Sequence, residues 1–130
     1  MPIAESKKVI RTADLKARTK QFALRVMKLI DALPRTIQGR AIANQIIRSA
    51  TSAANYRAAC RARSRPEFIA EIRVVEEEAD ETAFWLKLII DSALLGDARI
   101  RPLLTEAGEL VAIMAASRKS ALGNRKLEVS

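Results

Sequence analysis

Carboxylates are the first groups in this chain with chemical reach. Glu76, Glu77, Glu78, Asp80 and Glu81 crowd together, and Glu77 and Glu81, one helical turn apart, have the spacing to share a hard cation. The partners that would make such a cluster an active centre are missing. Histidine is absent from the sequence, which removes the commonest general base and metal ligand near neutral pH, together with the Glu-x-x-His pairs of di-iron bundles. Cys60 is the single cysteine; a thiolate there would be favoured near the end of a basic helix, but a lone helical cysteine reads as packing. Without histidine there is no Ser/His or Cys/His nucleophile, and no glycine-rich loop cradles a phosphate. The acidic run therefore reads as a helix flank facing arginines of its neighbours, and the chain as non-enzymatic, with no cofactor and no metal site.

The cations are more telling. Lys and Arg number 23 against 15 Asp and Glu, a net charge of +8, which favours anionic partners. Residues 1–35 and 36–65 are strongly basic, residues 66–97 strongly acidic, and residues 98–130 mildly basic. This asymmetry fits pairing inside one molecule, pairing between copies, or separate functional surfaces. Arg11, Arg18 and Arg25 recur every seven residues with Lys28 one turn beyond, so they share one side of a helix. Arg57 and Arg61 are one turn apart, and Arg63 and Arg65 follow in a connecting loop. As a set these eight suit phosphate contacts rather than base reading, since no base-reading motif is visible. Tyr56, Phe84 and Trp85 could stack on bases, yet large aromatics in a helical chain are mostly core or subunit interface.

The elements that must position these groups are helices. The composition is 49% hydrophobic but only 4% aromatic, with four glycines and four prolines, too little turn material for a many-stranded fold. A first helix runs from Asp14, as N-cap, to Leu33, with Leu15, Phe22, Val26, Leu29 and Leu33 on one face and Pro34 ending it. A second runs from Thr36 to Ala62, its inner side (Ile42, Ile46, Ser49, Ala53, Tyr56) rich in small residues. Ser64-Arg65-Pro66-Glu67 is a capping box that starts the third helix. Its stripe Phe68, Ile72, Val75, Ala79, Thr82, Leu86, Ile89 and Ala93 leads to Gly96, which suits a left-handed cap. A fourth helix begins near Pro102 and continues to the polar stretch Ser117–Ser120.

Short loops between such helices force sequential neighbours antiparallel, predicting an all-α, up-down-up-down four-helix bundle. Residues 1–13 form an N-terminal extension, 14–120 the bundle and 121–130 a frayed tail. Ile69, Ala83 and Ile90, beside the main stripe of the third helix, offer surplus apolar surface for a homo-oligomer. One cysteine permits no intrachain disulfide, the first residues lack the apolar core of a signal peptide, and the longest apolar run, Leu110 to Ala116, falls far short of the roughly 20 residues of a membrane span. These features read as a cytoplasmic protein with no membrane partner.

The run Gln45-Ile46-Ile47-Arg48-Ser49-Ala50-Thr51-Ser52-Ala53-Ala54-Asn55-Tyr56-Arg57, continuing through Ala62–Phe68 to Glu76–Glu81 and Phe84-Trp85-Leu86, resembles the four-helix-bundle proteins related to the 23S ribosomal RNA intervening-sequence protein. The similarity covers about residues 14–120, and the Thr-Ser-x-x-Asn-Tyr-Arg segment followed by the capping box carries most of it. The resemblance implies an antiparallel bundle, often assembled as a homopentameric barrel. A related branch, the accessory variability determinants of diversity-generating retroelements, implies association with a reverse transcriptase and nucleic acid. Ala58 and Ala54 stand where family members commonly carry glutamate and glycine. Asn55 in a helix interior needs a partner for its amide, which places it, with Tyr56 and Trp85, among structural or interface residues. The leading expectation is a homo-oligomeric accessory or scaffold protein that binds RNA or DNA with little sequence specificity through Arg11, Arg18, Arg25, Lys28, Arg57, Arg61, Arg63 and Arg65. The alternative is a protein-interaction module with no nucleic-acid role.

Overall fold

A computed structural model describes residues 14–129, and the side chains of residues 14–123. All its regular structure is helical: α1 (Leu15–Ile30), α2 (Ile37–Ala53), the short α3 (Tyr56–Cys60), α4 (Arg65–Asp91) and α5 (Asp97–Val129). α1 packs on α2, α2 on α4, α4 on α5 and α5 back on α1, a closed ring of four helices with α3 continuing the line of α2. Cross-helix partners run in opposite directions: Arg18 meets Glu106 while Arg25 lies beside Arg99, and Ser49 meets Thr82 while Tyr56 and Ala59 reach Ile72. This is the antiparallel up-down-up-down four-helix arrangement that the loop lengths predict.

Local chemistry sets most boundaries. Thr36 caps α2, its hydroxyl accepting the Gly39 N–H at 3.1 Å. Gly39 is forced by proximity, because a Cβ there would lie 1.9 Å from the Pro34 carbonyl oxygen. Ser64 caps α4 as its motif predicts, accepting from Glu67 N at 3.2 Å, while the Glu67 carboxylate accepts from the backbone N–H of Arg63 at 3.1 Å. Asp14 precedes α1 but makes no side-chain cap bond.

Several boundaries depart from the sequence reading, the first being α1, which ends at Ile30 and not at Leu33. The second helix is interrupted at Ala54-Asn55, so that Tyr56 begins a separate turn of helix. The left-handed residue after α4 is Ala93 (φ 58°), not Gly96. There the Leu94 N–H reaches Ile89 O at 3.2 Å and the Ala93 N–H reaches Ile90 O at 3.0 Å, which satisfies the terminal carbonyls of α4 before Gly96 is reached. α5 starts at Asp97, with Pro102 inside it, and its backbone stays helical to Val129, past the Ser117–Ser120 stretch. Proline has no N–H to bond the Ala98 carbonyl one turn earlier, and Ala98 is exposed.

The core has two parts. Phe22, Val26, Leu29, Ile46, Leu86, Ile89, Ile100, Leu103 and Leu110 fill the larger one, and Leu15, Tyr56, Ala59, Ile72, Val75 and Met114 fill the other. Each such large aliphatic or aromatic side chain stabilises the fold by about 1.5–3 kcal/mol on burial. Between α2 and α4 the small residues Ser49, Ala50, Ala53 and Ala79 are fully buried, and the Ser49 and Thr82 hydroxyls lie 2.8 Å apart. Thr82 also donates to Glu78 O at 2.8 Å, so neither buried hydroxyl is left unpaired. Ile69 is buried, and Ala83 and Ile90 pack against the larger core. The surplus apolar stripe of the sequence reading is therefore absorbed within one molecule.

Candidate nucleic-acid interface

The structure sorts the predicted cations by what lies across from them. Arg18 is engaged: its guanidinium grips Glu106 with two hydrogen bonds of 2.7 Å and reaches Glu109 at 3.6 Å. The Glu106 hydrogen bond raises the Arg18 pKa above its ordinary value, and this bidentate pair ties α1 to α5 and occupies the guanidinium. Arg11 lies outside the described residues. The predicted stripe on α1 thus reduces to Arg25 and Lys28.

These two face the same α1/α5 seam as Arg18, two to three turns nearer the opposite end of the bundle. There they line a shallow groove with Leu29 of α1 and Arg99, Pro102 and Leu103 of α5. Arg99 has no place in the sequence reading, because only the antiparallel register of α1 and α5 brings it beside Arg25. Its one advance signal is the mildly basic charge of the last segment. Among the described residues no carboxylate lies within ion-pair distance of Arg25, Lys28 or Arg99, and all three are exposed.

A second cationic group sits at the other end. Arg57 and Arg61 are exposed on and just after α3, and Arg63 follows in the loop to α4. Arg57 borders a shallow polar notch with Thr51, Ser52 and Asn55 at the interruption of α2. Arg65, at the start of α4, is half-buried and already engaged within the molecule. The eight sequence candidates therefore do not form one surface.

Several acidic residues are spent on the bundle itself. Arg48 of α2 meets Glu78 at 3.0 Å and also Glu81, in line with the expected pairing across that seam. Arg118 of α5 meets Glu76 at 2.8 Å, and its hydrogen bonds hold the Glu76 carboxyl below the usual carboxylate range. Arg101 does the same for Asp97 within α5. Glu81 also accepts from Trp85 Nε1 at 3.2 Å, which ties up one member of the Glu77/Glu81 pair. No cluster suited to a metal ion occurs among the described residues.

The three structural candidates have distinct places. Tyr56 is buried in the smaller core, where desolvation and then the neighbouring Cys60 thiol push its hydroxyl well above the ordinary value. Trp85 is half-buried, edge-on to Phe84 with ring centres 4.9 Å apart. Asn55 is exposed, not buried at a helix seam. It turns the chain instead, with its N–H on Ser52 O at 3.0 Å and its carbonyl accepting from Ala58 N at 2.9 Å.

Comparison with known proteins agrees with this architecture. Residues 11–116 match the family described as 23S rRNA-intervening sequence protein. A similar solved structure is that of a protein of unknown function from the S23 ribosomal protein family of Bacteroides thetaiotaomicron, with 27% identity and a TM-score of 0.75 over 81% of this chain and 98% of that one. No curated protein matches the chain. No helix among the described residues is long and apolar enough to cross a membrane.

Proposed function

The chain belongs to the 23S rRNA-intervening sequence protein family, and on that premise we propose that it is a non-enzymatic, homo-oligomeric bundle, a pentamer by resemblance, that binds RNA or DNA through phosphate contacts. It serves as accessory or scaffold to a nucleic-acid enzyme, for which the resemblance points to a reverse transcriptase. One observation carries the binding reading: Arg25, Lys28 and Arg99 share one groove with no carboxylate of the described residues in ion-pair distance, while Arg18, Arg48, Arg101 and Arg118 are each held by one. Cations left without counter-charges are pre-arranged for an external polyanion. Arg57, Arg61 and Arg63 form a second group at the opposite end, and copies in one assembly would add their modest contributions through avidity.

Fluorescence anisotropy with short single- and double-stranded RNA and DNA at about 50 and 200 mM salt tests this. Binding that weakens steeply with salt is expected. Replacing Arg25 and Arg99, or Arg57 and Arg61, with alanine lowers the magnitude of the salt slope by about one for each phosphate no longer neutralised. Arg18→Ala leaves that slope unchanged, because its guanidinium is occupied by Glu106. No binding at the lower salt overturns the proposal and selects the alternative, a protein-interaction module without nucleic acid.

A further inference from the structure

The bundle leaves two apolar faces uncovered, and they lie on opposite sides. Ring order α1, α2, α4, α5 puts α1 and α4 on a diagonal, so the sides they turn away from the core look in opposite directions. Five large hydrophobic residues are exposed among those described, and four fall on these two sides: Leu24 (45%) and Met27 (46%) on α1, Val74 (49%) and Phe84 (57%) on α4. The α4 set follows a helical stripe of its own. Ala70, Val74, Glu77 and Phe84, all exposed, follow at spacings of four, three and seven, the pattern of a seam that packs against another helix. On α1, Lys16, Lys20, Leu24 and Met27 likewise fall on one strip.

The charges left over on the two faces are opposite. Glu77 and Asp80 are exposed on α4 with no ion pair among the described residues, and Lys87 on that side is already paired with Asp91 at 3.3 Å. Arg73 is the remaining cation of the α4 face. Lys16 and Lys20 are exposed on α1, also without ion pairs. Two α1 faces brought together would set lysines against lysines, and two α4 faces would set Glu77 and Asp80 against their own kind, each a repulsive arrangement.

We propose that the outer face of α1, through Leu24 and Met27, docks on the outer face of α4, through Val74 and Phe84, of a second copy of this chain. The proposal rests on the homo-oligomeric part of the functional reading and is independent of nucleic-acid binding. Each copy carries one face of each kind, so the contact is head-to-tail and closes as a ring or continues as an open row; it does not stop at a two-fold dimer. The Arg25/Arg99 groove lies at the α1/α5 seam, and of its cations Lys28, one turn from Leu24, borders this contact.

The test is complementation between two broken faces. Leu24→Asp removes the α1 anchor and Phe84→Asp the α4 anchor, both at exposed positions. Light scattering after size exclusion should give a multimer larger than a dimer for the wild type, a monomer for each variant alone, and a one-to-one dimer, no larger, for the mixture. That dimer forms because each variant still holds the face its partner lacks. If either aspartate variant loses helical signal, Lys20→Glu and Glu77→Lys replace the pair: each should weaken assembly roughly tenfold or more through like-charge contact, and mixing them should restore it. A wild-type multimer that either variant leaves intact, or variants that stay monomeric when mixed, overturns this contact while leaving the oligomeric reading standing. A wild-type monomer at micromolar concentration overturns both.

Discussion

Gly39→Ala and Gly108→Ala are the same change on two helices, and their surroundings give them opposite signs. At Gly39 the new methyl would lie 1.9 Å from the Pro34 carbonyl oxygen, 3.0 Å from the Pro34 carbonyl carbon and 3.3 Å from Thr36 Oγ1. The first two neighbours are backbone, so relief requires the 31–36 turn to move away from α2. Forced overlap of this kind costs about 1–3 kcal/mol. Displacing Thr36 also weakens its cap on the Gly39 N–H, worth about 1 kcal/mol. Against this, alanine is the better helix former by about 1 kcal/mol. The balance is a loss of roughly 1–3 kcal/mol, which for a chain of this length lowers Tm by about 4–12 °C. At Gly108, exposed in the middle of α5, no atom lies within 4 Å of the added methyl. Only the helix preference remains, and Gly108→Ala should gain about 0.5–1 kcal/mol. Urea unfolding followed by circular dichroism measures both. A Gly39→Ala protein as stable as wild type would show that the α1–α2 turn yields freely and that the close approach to Pro34 imposes no cost.

Three further outcomes follow from the geometry. Ala93→Gly should raise stability by roughly 0.5–1 kcal/mol, because Ala93 holds the left-handed conformation that glycine adopts without strain; an unchanged urea midpoint would count against strain at that position. The folded-state pKa of Glu76 is depressed by Arg118, so its contribution is present in full above the usual carboxylate range and is lost as pH falls through the lowered value. Glu76→Gln should therefore lose less stability than wild type between pH 7 and about pH 3, in parallel urea titrations. Arg18→Ala should cost about 1 kcal/mol of stability by removing the α1–α5 strut, whereas Arg25→Ala, which breaks no ion pair, should stay within about 0.5 kcal/mol in the same assay.

Much of this fold is legible from spacing. The stripes on α1 and α4 name most of what those two helices bury, and the Ser64–Glu67 motif sets the start of α4, because capping and periodicity are local properties. Other features arise only between elements. Arg18 and Arg25 occupy equivalent positions on α1 and look alike in sequence; Glu106 lies opposite one and Arg99 opposite the other, and only the packed register of α1 on α5 separates their roles. Gly39 carries no signal in the sequence; its need for glycine comes from the Pro34 carbonyl packed beside it. The interruption at Ala54-Asn55 is silent as well, since neither residue forbids a helix. Gly96 is the more plausible cap by composition, yet the last carbonyls of α4 find their partners at Ala93 and Leu94 first.

The division of the unpaired cations between two ends sets a length scale. Arg57 and Arg61 lie near the level of Ile72, while Arg99 opens α5 just after α4 ends at Asp91, with Arg25 beside it. At 1.5 Å of rise per residue these levels are about 30 Å apart, or roughly nine nucleotides of a duplex strand at 3.4 Å each. If the chain binds nucleic acid as proposed, oligonucleotides much shorter than this would touch one end of a bundle only, and longer ones would be needed to bridge both. On that proposal a single subunit would measure the footprint of a nucleic acid by the length of its own helices.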